Sequence, residues 1–99
     1  MHEPFYILEG TTVKQVDQKG WENWWPTSDR MVARDTIGES SVSTVFLGVD
    51  HGVGLDEPLL FETLVFGGPL KDSMTRCSTY EEALVLHKVM CDRVRMELP

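Results

Sequence analysis

The 99-residue sequence predicts an α+β domain: an antiparallel β-sheet of four to six strands, with a short Trp-rich helix and a long C-terminal helix packed on one face. Three observations lead there. Short runs rich in β-branched and aromatic residues recur between residues 5 and 77, separated by turns that contain Gly or Pro. The run TYEEALVLHKVMCDRVRMEL, residues 79–98, holds neither Gly nor Pro. Between the first strands lies GWENWWPTSDR, residues 20–30, with three tryptophans in five positions.

Taken in order, FYIL at 5–8 reads as a strand and Glu9-Gly10 as its turn; TVKQV at 12–16 alternates as a half-exposed strand does. Asp17 is positioned to cap a short helix that runs through Trp25 and is stopped by Pro26. Trp21, Trp24 and Trp25 fall at i, i+3 and i+4, on one side of that helix. A two-turn helix does not persist alone, so the indoles are expected to anchor it, each burying on the order of 200 Å². Trp24 and Trp25, at the helix end, are the two expected to stay partly open, where an indole could stack on a base.

MVARDTI at 31–37, closed by Gly38-Glu39, and SVSTVFLGV at 41–49 read as the next strands. The loop DHGVGLDEP at 50–58 leads to LLFETLVF at 59–66, apolar on both faces and therefore expected to be central and covered on each side. Gly67-Gly68-Pro69 marks a turn, and SMTRC at 73–77 a last strand. On the C-terminal helix, Ser78 with Glu81 fits a capping box. At about 100° per residue, Tyr80, Ala83, Leu84, Met90, Cys91, Val94 and Leu98 make one stripe. Val85, Val89 and Met96 make a second on nearly the opposite side, either touching a loop or serving self-association as a homo-oligomer.

Length implies a single domain, residues 1–99, with a core large enough to fold without staples. Net charge is −7, with four basic against eight acidic residues in 1–50 and five against eight in 51–99. Basic residues so scattered argue against direct binding to a nucleic-acid backbone. Cys77 and Cys91 are too few for a disulfide scaffold and lack C-x-x-C spacing, so thiol chemistry and zinc are not expected. The start Met-His-Glu-Pro lacks signal-peptide regions and no apolar run approaches a membrane span, so the expectation is a soluble cytoplasmic protein with no membrane contact.

Chemistry-bearing residues are few. The loop after residue 49 carries Asp50, His51, Asp56 and Glu57, but neither EF-hand nor H-E-x-x-H spacing, so no metal is assigned. Its plain reading is a solvated loop whose Asp50 caps its own turn. His87 falls within the apolar stripe of the last helix and must find hydrogen-bond partners; Glu62, Thr63 and the Asp50-His51 pair are the candidates. His51 and His87 together would suit general acid–base work on a phosphodiester. Glu62 interrupts an apolar strand and needs Arg30, Arg34, Arg76 or His87 beside it. His2 carries no expected role, and no nucleotide-binding or hydrolase motif is present, so no cofactor is expected.

The run VSTVFLGVDHG…PLLFETLVFGGP, followed by CSTYEEALVLHKVM, resembles a family of small proteins encoded by tailed bacteriophages and prophages. The resemblance covers residues 41–91 and marks Asp50, His51, Glu62, Thr63, Gly67, Gly68 and His87. It implies a viral accessory protein acting in the cytoplasm of a host bacterium, capturing a host defence protein or a small nucleotide signal. For nucleotide capture, Trp24 or Trp25 would stack on the base, and Arg30, Arg34 or Arg76 would meet phosphates. The alternatives are a phosphodiester hydrolase using His51 and His87, and a virion structural or assembly component.

Overall fold

A computed structural model describes residues 4–52 and 56–98. It contains six strands, β1 (Phe5–Glu9), β2 (Thr12–Val16), β3 (Met31–Ile37), β4 (Ser40–Phe46), β5 (Phe61–Phe66) and β6 (Met74–Cys77), with helices α1 (Gln18–Trp24) and α2 (Tyr80–Met96). The class is α+β, with a two-stranded sheet β1-β2 and an antiparallel four-stranded sheet in the order β3-β4-β5-β6. Every strand read from the pattern is present, with shorter ends for three of them. Chain order and sheet order coincide because each link is a turn or loop between neighbours, which antiparallel pairing permits.

Both tight hairpins use a glycine with positive φ at the first of two central positions: Gly10 (62°) between β1 and β2, Gly38 (58°) between β3 and β4. That geometry matches the strand twist. The first hairpin joins the rest through the Phe5–Val49 bridge and two hydrogen bonds, from Tyr6 N–H to Gly48 O (2.8 Å) and from Asp50 N–H to Pro4 O (3.0 Å). Asp17 caps α1 as expected, its carboxylate accepting from Gly20 N–H at 2.8 Å. Pro26 does not end the helical path. The chain tightens into a 3₁₀ turn over Trp25–Thr27, where proline is tolerated because its missing N–H falls in the first turn.

At α2 the cap is one residue later than the sequence reading. Thr79 is the N-cap, accepting from Glu82 N–H at 3.1 Å while its hydroxyl donates to the Glu82 carboxylate at 3.0 Å. The spacing T-x-x-E fits a capping box as well as Ser78 with Glu81 does; Cys77 is still held in β6, where Phe61 is its partner, so the helix starts after it.

α2 lies across the inner face of the four-stranded sheet and buries Ala83, His87, Met90, Cys91 and Val94. Leu84 and Leu98, assigned to the same stripe, are exposed, and so are Val85, Val89 and Met96. The helix face covered by the sheet is thus the narrow stripe of Ala83, His87, Met90, Cys91 and Val94. β5 is an inner strand, but among the described residues only one of its faces is covered. Phe61, Thr63 and Val65 face α2, whereas Glu62, Leu64 and Phe66 lie on the open side. The expectation of cover on both sides fails because α1 and the β1-β2 hairpin pack at the end of the helix side, where Trp24 meets Phe46 edge-on at 5.9 Å.

Two apolar clusters fill the core. One joins Tyr6, Phe46, Leu60, Phe61, Cys77 and Ala83; the other joins Ile37, Val42, Val65, Met90, Cys91 and Val94. Between them runs one polar layer made by Thr44, its partner Thr63, and His87. Among the described residues no helix is long and apolar enough to cross a membrane.

Candidate functional site

The polar layer is the most chemically distinct place in the molecule. β4 alternates so that Ser40, Val42, Thr44 and Phe46 point inward, and β5 sets Phe61, Thr63 and Val65 beside them. The Thr44 and Thr63 hydroxyls meet at 2.6 Å, and Thr44 Oγ1 lies 2.7 Å from His87 Nδ1. On the other side of the ring, His87 Nε2 is 2.7 Å from Asp35 Oδ2. A carboxylate only accepts, so Nε2–H donates to Asp35; with that tautomer of the uncharged ring, Nδ1 accepts a hydrogen bond from the Thr44 hydroxyl. Cys91, one turn beyond His87, points its Sγ at the same Asp35 oxygen from 3.8 Å.

Charge and burial shape these groups. The hydrogen bond from His87 holds the Asp35 carboxyl below the usual carboxylate value, against the opposing pull of desolvation. Burial pushes the Cys91 thiol up, and the nearby Asp35 charge adds to that. Burial likewise pushes Cys77 to about 11. Neither sulfur is an activated nucleophile.

His87 therefore finds its partners, but mostly others than those expected from sequence. Thr63 joins through Thr44; Glu62 and the Asp50-His51 pair do not take part. Glu62 faces the opposite side of the sheet, where Arg76 on β6 holds it at 3.0 and 3.1 Å. Asp50 turns inward on its own loop, accepting from Gly52 N–H (2.7 Å) and Leu59 N–H (3.0 Å). His51 is exposed, its N–H bonded to Leu59 O beyond the end of β4. The two ring nitrogens of His87 are engaged by Thr44 in the core and by Asp35 at its edge, and neither bond goes to His51, as the pair needed for phosphodiester hydrolysis would require. Residues 53–55 of the loop, and His2, lie outside the described residues.

The tryptophans form a half-buried cluster rather than a sealed core. Trp21 stacks on Trp25 with centroids 4.5 Å apart, Trp24 tilts against Trp25 at 6.1 Å, and the Arg30 guanidinium lies 3.7 Å above the Trp25 ring. An indole and a guanidinium this close cannot share one face, so both faces of Trp25 are taken. Arg30 is fixed further by hydrogen bonds to Trp25 O (2.9 Å) and Ser28 Oγ (3.1 Å). The indole N–H of Trp21 is buried and unpaired. Beside this cluster a cleft of about 370 Å³ is lined by Trp25, Arg30, Met31, Val45, Phe46 and Leu47.

Two of the cleft's lining residues, Met31 and Val45, also belong to the outer sheet face. Its rows read Met31–Val45–Glu62–Arg76, Arg34–Ser43–Leu64–Met74 and Thr36–Ser41–Phe66. Arg34, exposed, reaches Ser41 Oγ at 3.3 Å. Arg34 and Arg76 stand in different rows of the two edge strands, which are about 14 Å apart at ordinary strand spacing, so the arginines do not converge.

No protein-family model matches the chain, and neither does any curated protein or solved structure.

Sequence reasoning missed Asp35 and Thr44. Both signals were available: Asp35 is in phase with Ala33 and Ile37 on β3, and Thr44 with Val42 and Phe46 on β4. A polar residue in phase with apolar ones on an inward face calls for a partner.

Proposed function

We propose that this protein is a bacteriophage accessory protein that binds a host defence protein and blocks it by occupying its surface. One observation carries the reading: among the described residues no element covers the outer face of the four-stranded sheet, and Met31, Phe66 and Met74 stand exposed on it beside Val45 and Leu64. A solvated sheet face normally alternates to polar residues. Here Met31, Val45, Leu64, Met74 and Phe66 are interleaved with Arg34, Ser41, Ser43 and the Glu62–Arg76 pair, the mixed make-up of a protein-binding patch. Phage origin and the defence target rest on the sequence resemblance.

The nucleotide-capture version has less support: Trp25 is covered by Trp21 and Arg30, Trp24 meets its neighbours only tilted or edge-on, and the three arginines are dispersed or already bonded. Efficiency of plating tests the proposal. A phage restricted by a bacterial defence is expected to plate better on hosts that express this protein. Phe66→Glu with Met74→Glu should abolish that gain without lowering the melting temperature. No gain across a panel of restricting hosts, or full activity of the double variant, would overturn it.

A further inference from the structure

From the geometry of the polar layer we infer that Asp35, His87 and Cys91 form a binding site for a thiophilic divalent cation, with zinc the best fit. Asp35 Oδ2, His87 Nε2 and Cys91 Sγ all lie within 4.8 Å of one another. Two of the three come from one helix face, a turn apart, and the third from the edge strand β3 opposite. Local spacing cannot reveal such a set, since Asp35 stands 52 residues from His87 and 56 from Cys91.

Tetrahedral zinc holds thiolate sulfur at about 2.3 Å and imidazole nitrogen or carboxylate oxygen at about 2.0–2.2 Å, which sets ligand atoms about 3.3–3.7 Å apart. The Cys91–Asp35 separation of 3.8 Å already suits this. The 2.7 Å between His87 and Asp35 must open by about 0.6 Å, as a direct hydrogen bond gives way to a bridging cation. Asp35 has room to move, its side chain being 53% exposed on an edge strand. A sulfur, nitrogen and oxygen donor set selects zinc over magnesium or calcium. Solvent on the Asp35 side supplies the fourth position.

The supporting layer suits the site in both states. With metal on Nε2, the imidazole proton sits on Nδ1 and donates to Thr44 Oγ1, whose hydroxyl turns to donate to Thr63. A hydroxyl both donates and accepts, so neither tautomer leaves a buried orphan. Binding releases one proton, from the Cys91 thiol. A metal-bound imidazole is uncharged, and carboxylate and thiolate balance the dication. Arg95 is the opposing charge nearby, and Asp92 engages it at 3.1 Å.

Cobalt(II) is the probe. The full-length protein is expected to take one equivalent, with a thiolate-to-cobalt charge-transfer band and the visible bands of tetrahedral cobalt, both removed by added zinc. Cys77→Ala should retain the bands and Cys91→Ala lose them. Asp35→Asn, an exposed change that spares the fold, should weaken cobalt about tenfold or more, and Thr44→Val about 10–100-fold. Absence of a charge-transfer band at millimolar cobalt, or a band that survives in Cys91→Ala, would overturn the site.

Discussion

His87 on α2 and Asp35 on β3 meet at 2.7 Å, one ring nearly buried and one carboxylate half in water. The contact pins an edge strand to the helix and ends a chain of hydrogen bonds that begins at Thr63.

Acid should weaken this contact. The folded-state pKa of Asp35 lies below its ordinary value of 3.8, so the stability it contributes is complete above that value and is lost as pH falls through the lower folded one. In melting curves from pH 6 to pH 2, the gap between the native protein and Asp35→Asn should hold above pH 3.8 and close in acid below it.

Thr44→Val should cost about 1–3 kcal/mol in urea unfolding, because it leaves His87 Nδ1 without its buried partner. Thr63→Val should cost less, since Thr44 keeps its bond to the ring. The double variant should cost less than the two single losses together, as expected for neighbours in one network.

Neither thiol should react with a disulfide reagent at pH 8 in the folded protein. Cys77 and Cys91 are both buried and both pushed upward, the former to about 11. Both should react within the mixing time in denaturant, and rapid labelling of the native protein would contradict the packing described.

Gly48 has φ +76°, and a Cβ there would stand 2.6 Å from Trp25 Cζ3 and 2.9 Å from Trp21 Nε1. Gly48→Ala should therefore lose about 1–3 kcal/mol from backbone strain alone, with more from the clash. A red shift of tryptophan emission should accompany it as the indole stack opens.

How much of this was legible beforehand differs by element. β2 and β3 match their sequence ranges, and Asp17 its capping role, because alternation and caps are local properties. The need of His87 for partners was also visible from its place in an apolar stripe. Which partners it takes was not. Asp35 and Thr44 reach it only once β3 and β4 are registered under α2, and register is a property of the assembled sheet.

The chain alone therefore determined its class, its strands and helices, and the presence of polar residues on inward faces, since period and capping act over a few residues. Tertiary structure decided that Glu62 turns outward to Arg76, that the His87 ring is taken by Thr44 and Asp35, and that the aspartate, imidazole and thiol converge. The reason is geometric: a strand's two faces differ by one residue, and only packing against the helix says which face is inside.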